Sequence, residues 1–171
     1  SPIPRAKETA DMLGKMLGVA VETDARLSEV NVGTFDGMQT KNYHAYFSSF
    51  IEKFSKRAPE GEHLGDLRGR VMNWMQEMEK MHEGKKILVV SHEYPLWMMY
   101  GGAQGLTNNQ TVGLRAGKRK NDFIALAEVL ESPYVSVPRD ETGEINLHRP
   151  FVDEFMFGCM ACKKGTMKRV P

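Results

Sequence analysis

The sequence predicts an α/β fold with a mostly parallel sheet, and three observations carry that expectation. Helix-period segments and short β-rich runs alternate along residues 1–131, the pattern of a sheet covered by helices. Ile87-Leu88-Val89-Val90 is an unbroken apolar run of the kind that a parallel sheet buries on both faces. Ser91-His92 follows it directly, and open α/β sheets bind ligands beyond the carboxyl ends of such strands.

Each element has its own signal. Ala6, Ala10, Leu13 and Leu17 recur at helical spacing and predict a helix over residues 5–17, stopped by Gly18. A short strand is expected at residues 19–21. Residues 27–37, LSEVNVGTFDG, hold two glycines and are too irregular for a long helix. They read as a loop that can aim polar groups at a pocket. Residues 41–56 are rich in aromatics and are expected to be helical. Pro59-Glu60-Gly61-Glu62 reads as a turn. After it, Leu64, Leu67, Val71, Trp74, Met75, Met78 and Met81 keep helical spacing, and this Met and Trp stripe reads as core packing. Gly84 ends that helix. Pro95 suits the first turn of another over residues 96–104, and residues 123–129 are expected to supply one more strand.

Composition sets the limits. At 171 residues the chain has room for one core-bearing domain and an appendage. Charged residues make up 26% and apolar ones 41%, as in a soluble globular protein. A net charge of +1 argues against general polyanion binding. No apolar run is as long as a membrane span, so no membrane partner is expected and the cytoplasm is the expected location.

The motifs point to phosphate chemistry. In S-P-I-P-R-A-K-E-T-A, residues 1–10, Arg5 stands at the mouth of a helix. A planar, permanently charged guanidinium there joins unpaired N–H groups in suiting phosphate oxygens. Arg5, Glu29 on the glycine loop and His92 past the apolar run could all reach one crevice. Such a trio can hold the equatorial oxygens of a phosphoryl group, donate to it or accept it, and protonate the leaving oxygen.

Four segments in order resemble the histidine phosphatase superfamily, which includes the cofactor-dependent phosphoglycerate mutases. They are residues 1–10, residues 27–37, P-E-G-E-H-L-G-D-L-R-G-R-V at 59–71 and I-L-V-V-S-H at 87–92. The resemblance implies a phosphoglycerate mutase-like three-layer sandwich and a two-step reaction on a phosphorylated small molecule, through a phosphohistidine and without a cofactor. It implies that Arg5 is the second phosphate-binding arginine and Glu29 the catalytic acid. His92 becomes the second histidine, which binds and stabilises the transferring group. Glu62 matches the family's G-E-S turn only in part, since His63 stands where Ser is usual. It is expected to be a helix-capping acid in the first turn. His44, His63 and His82 are expected in solvated or capping roles.

The family's nucleophile lies in an R-H-G signature after the first strand, and no R-H-G occurs in the 171 residues. The nucleophile, its arginine and that first strand are therefore expected upstream of Ser1. Glu93 stands next to His92 where the family has a small or neutral residue, and would repel a phosphate dianion unless turned away.

Residues 132–143, SPYVSVPRDETG, read as a linker, and residues 144–171 differ in texture. L-H-R-P-F-V-D-E at 147–154, the pair Cys159 and Cys162, and M-K-R-V-P at 167–171 resemble isoleucyl-tRNA synthetases, the isoleucine–tRNA ligases. The resemblance implies an irregular tail that is half of a zinc ribbon, Cys159 and Cys162 holding zinc with an upstream pair. tRNA and ATP would be handled only through synthetase parts not present here, since H-x-G-H and K-M-S-K-S signatures are missing. Both resemblances hold if a phosphatase-like domain is inserted in a synthetase. The alternatives are a non-catalytic module bracing the synthetase or tRNA, and a free-standing mutase or phosphatase.

Overall fold

The computed structural model describes residues 1–82, 84–115 and 123–132. Five α-helices lie among them: α1 Pro4–Leu17, α2 Thr40–Ala45, α3 Leu64–Met81, α4 Glu93–Ala103 and α5 Asn108–Gly113. Short 3-10 turns at Ala25–Leu27, Gly33–Phe35 and Ile51–Phe54 join them. The proposed linker and the tail with Cys159 and Cys162 lie outside the described residues.

α3 and α4 form the centre. α3 starts where the sequence indicates and buries Leu64, Leu67, Val71, Trp74 and Met75 on one stripe. Met81 falls off that stripe and is exposed, against expectation. α4 begins three residues earlier than expected and carries the fully buried Trp97 and Met98 into the same core. Gly102 lets the helices approach, since a Cβ there would sit 2.0 Å from the Met72 sulfur. The Trp97 indole N–H donates to the Thr111 carbonyl at 2.8 Å, fixing α5 against α4. From α3, Arg68 donates to the Leu106 carbonyl and to Asn108 Oδ1, closing the same corner.

The expected helix over residues 41–56 is broken. Tyr43 and Phe47 pack with Ala58 in a small cluster of their own, whereas Phe54 belongs to the main core beside Trp97. α2 ends at Ala45, and Phe54 is carried by the separate 3-10 turn over Ile51–Phe54. The Glu52 carboxylate takes both the N–H and the hydroxyl of Ser48 in the break.

The expected strands also differ. Residues 19–21, 87–90 and 123–129 form no β-ladder among the described residues. A ladder needs a neighbour to exchange N–H and C=O groups, and residues 87–90 have no such ladder partner among the described residues. Ile87 and Leu88 are therefore 46% and 55% exposed instead of buried on both faces. Phe123 does reach the core, but Leu126 and Val129 are exposed and Ala127 takes a positive φ of 58° within a turn. The mostly parallel sheet is thus not seen in this part of the chain.

One buried cation stands out. Lys53 is 2% exposed, and its ammonium lies 4.4 Å from the Tyr43 ring centroid and 4.6 Å from that of Phe50. It donates to His44 Nδ1 at 2.6 Å. Aromatic faces return about 0.5–2 kcal/mol each to a cation, less than burying an unneutralised ammonium costs. Burial, with the Arg115 charge nearby, accordingly pushes the Lys53 ammonium down to about 8.

The folded chain thus gives up this proton more readily than the unfolded chain, whose lysine keeps its ordinary value near 10.5. Stability contributed here is present above that ordinary value and is lost as pH falls toward 8, with no further change below. The difference in urea midpoint between Lys53→Met and the parent protein is expected to grow in favour of Met from pH 10.5 to 8. A difference independent of pH across that range would show that Lys53 is solvated.

Candidate active site

Three long-range hydrogen bonds bring the predicted residues together. The Ser1 N–H donates to the Val90 carbonyl at 3.0 Å, and Ser1 Oγ lies 2.9 Å from His92 Nε2. The start of α1, where Arg5 sits in the first turn, is thereby set beside His92. Ser91 Oγ donates to the Leu27 carbonyl at 2.6 Å, drawing the loop that carries Glu29 to the same place. Arg5 acts electrostatically on both Glu29 and His92, which puts all three around one site.

Arg5 is exposed, and its guanidinium makes no hydrogen bond or ion pair with the described residues. A guanidinium uncommitted beside a buried histidine is available to a ligand. Pro4 occupies the first position of α1 and Ile3 offers no side-chain cap, so the helix mouth next to Arg5 is not closed by a side chain.

His92 is buried at the N-cap of α4. Burial, then the positive charges of Arg5 and Arg70, push its imidazolium down to about 4. At neutral pH the ring is uncharged, with Nε2 held by Ser1 and Nδ1 not so held. A phosphoryl dianion placed against it would work in the opposite direction and favour the charged form.

Glu29 is half-buried at the tip of its loop. Burial raises its carboxyl above the ordinary glutamate range. The Val30 N–H, bonded to Oε1 at 2.9 Å, opposes that shift; the Glu93 carboxylate adds to it; Arg5 and Arg70 oppose it. A carboxyl with raised proton affinity is what protonating a leaving group at neutral pH requires.

The Glu93 carboxylate, next to His92 in sequence, has partners of its own in the fold. It accepts the Phe123 N–H at 2.9 Å and pairs with Arg115 at 3.2 Å. Its negative charge is therefore largely neutralised, and its remaining influence on the site is to raise Glu29.

Glu62 is not the helix cap that the sequence suggests. His63 is the N-cap of α3: its Nδ1 accepts the Asp66 N–H at 2.9 Å, and the Asp66 carboxylate accepts the His63 N–H at 3.2 Å. Imidazole has taken the capping role of a serine, so the departure at His63 costs the turn nothing essential. Glu62 is thus released for Arg70, which donates to both carboxylate oxygens, at 2.7 and 3.1 Å. Sequence reasoning missed Arg70, Ser1 and Ser91. All three stand inside the quoted motif segments, which is the one signal that pointed to them. His44 and His82 are exposed, His82 as the C-cap of α3, in keeping with helix-edge roles; His44 also takes the Lys53 ammonium.

These charges predict a measurable order. In a 13C-carboxyl titration, Glu29 is expected to titrate above the ordinary glutamate range. Glu93→Gln should move it down and Arg5→Gln should move it up. A midpoint unmoved by both replacements would mean that the three groups do not share a site.

Comparison with known proteins agrees with this arrangement. The chain matches the histidine phosphatase superfamily (branch 1) over residues 1–118. It is 25% identical over 162 residues to a probable phosphoglycerate mutase GpmB of Yersinia enterocolitica, covering 90% of this chain and 74% of that one. An alignment of that extent runs past residue 131. It is 24% identical to the GpmB of Erwinia tasmaniensis, of which it spans 64% of the length. It is 28% identical over 111 residues to phosphoserine phosphatase 1 of Hydrogenobacter thermophilus, covering 62% of this chain and 53% of that one. Among solved structures, a mycobacterial glucosyl-3-phosphoglycerate phosphatase superposes with a TM-score of 0.58 at 20% identity, covering 66% of this chain and 59% of that one. That likeness speaks for the fold alone, and it is to phosphatases of the α/β kind the sequence suggests. No described helix is long and apolar enough to cross a membrane. With the ordered motifs, the shared site and a match over more than half its length, this chain belongs to the histidine phosphatase superfamily.

Proposed function

We propose that this chain supplies the phosphate-binding and proton-donating part of a phosphohistidine-forming phosphatase or mutase acting on a phosphorylated small molecule. The observation that carries the reading is the convergence of Arg5, whose guanidinium has no partner among the described residues, a neutral buried His92 and a Glu29 whose proton affinity burial raises. Arg5 and His92 hold the non-bridging oxygens of the phosphoryl group. A histidine nitrogen, placed by this reading in an R-H-G segment beyond these 171 residues, attacks phosphorus. The ester P–O bond breaks, and Glu29 gives its proton to the leaving oxygen. Water, or a second hydroxyl in a mutase, then attacks phosphorus and gives its proton back to Glu29, while the P–N bond breaks and its electron pair returns to the histidine nitrogen.

The 171-residue chain alone is expected to hydrolyse no aryl phosphate. A protein that includes the R-H-G segment is expected to form an acid-labile phosphohistidine there and not on His92. His92→Ala and Arg5→Ala should each lower its kcat/KM by about 100-fold or more, the usual scale for losing one stabilising group. Hydrolysis by the 171 residues that His92→Ala abolishes would overturn the reading.

A second reading concerns the tail. The density of the likeness at residues 147–171 favours a synthetase segment continuing from the phosphatase-like part, with Cys159 and Cys162 as two of four zinc thiolates. It rests on those residues alone, and the alignment to the Yersinia relative runs into the same stretch. Metal analysis decides it. Zinc held by the intact protein is expected to fall on Cys159→Ser, and unchanged zinc would leave the tail to the phosphatase fold.

A further inference from the structure

We propose that Arg70, paired with Glu62, is a positioning residue that clamps the loop of Glu29 so that its carboxyl meets the leaving oxygen. The proposal rests on Glu29 being the acid of the reading above. Arg70 stands on α3, whose buried stripe packs in the main core, and reaches across to the loop. Its Nη1 donates to the Arg26 carbonyl, and its Nη2 donates to the Glu29 carbonyl at 3.1 Å. Its Nε and Nη2 together grip the Glu62 carboxylate. Glu62 closes the ring: its Oε1 accepts the Asn31 N–H at 2.9 Å, and its own N–H donates to the Asn31 carbonyl at 2.9 Å. The backbone on both sides of Glu29 is thereby held from one guanidinium and its carboxylate.

Two features mark Arg70 as a clamp and not a phosphate ligand. Three of its nitrogens already donate inside the protein, whereas the Arg5 guanidinium donates to none of the described residues. The pair is also only about one-fifth exposed, at 21% for Arg70 and 17% for Glu62. A carboxylate-held fork is rigid in a way that a lysine is not, because the planar guanidinium fixes direction as well as charge. Next to the clamp, Gly33 takes a φ of +59°, and a Cβ there would strike the Pro59 carbonyl oxygen at 1.9 Å. The loop therefore has little freedom to find another path.

The clamp matters only where a proton must be delivered, and that separates it from general damage. Nitrophenolate leaves without a proton; a simple alkoxide does not. In the intact protein, kcat/KM is measured for p-nitrophenyl phosphate and for an alkyl phosphate. Arg70→Lys keeps the charge but loses the fork. It is expected to cost the alkyl ester about tenfold more than the aryl ester, on the scale of acid catalysis. Glu62→Gln keeps the size and should show the same bias, more weakly, and it serves where Arg70→Lys does not fold. Equal losses on both esters, or none, would overturn the clamp. Glu29→Gln is run beside them. If it shows no bias toward the alkyl ester, the assignment of Glu29 as acid fails. If it shows the bias and the Arg70 and Glu62 variants do not, the clamp alone fails.

Discussion

A planar guanidinium that binds two backbone carbonyls and one carboxylate can satisfy all of them only if three separate segments meet at fixed angles. Arg70 imposes that condition here, linking α3, the Glu29 loop and the turn that ends in Glu62. Each bond is charge-assisted and partly shielded from water, so losing one leaves a polar group without its partner. The loop has no regular secondary structure to hold it. Its place in the molecule depends on this fork, on the Ser91 bond to Leu27 and on the tight passage at Gly33.

Charge in the neighbourhood is arranged with the same economy. Glu93 is kept from opposing a phosphate by Arg115, which itself lies over the rings of Phe50 and Trp97. On the other side of this aromatic group, Lys53 is buried against Tyr43 and Phe50 and loses proton affinity. Burial and the nearby Glu62 and Glu29 carboxylates hold the Tyr43 phenol up at about 12. The result is a site in which Arg5 and Arg70 both act on Glu29 and His92, with the Arg5 guanidinium unpaired among the described residues.

The two groups that would move protons or hold charge are tuned in opposite directions. Burial raises the proton affinity of Glu29 and lowers that of His92. Desolvation always favours the neutral form, which is the protonated one for a carboxyl and the deprotonated one for an imidazole. Burial therefore acts on both residues at once, in opposite directions. The nearby cations strengthen the effect on His92 and restrain it on Glu29.

Local signals in the sequence marked the candidate residues for phosphate chemistry and showed where the strongest helix runs. Arg5, Glu29 and His92 stand in short motifs, and α3 follows from the spacing of Leu64 to Met75, because these signals are local. The sequence could not determine whom Glu62 would pair with. Capping and a long-range ion pair use the same carboxylate, and only the position of Arg70 after folding decides between them. The partners of Glu93 and the bond between Ser1 and His92, 91 residues apart, are of the same kind. The apolar run at residues 87–90 shows the limit most clearly. Composition marks it as strand-like, but a strand exists only through hydrogen bonds to a neighbour, and tertiary structure alone decides whether a neighbour is there.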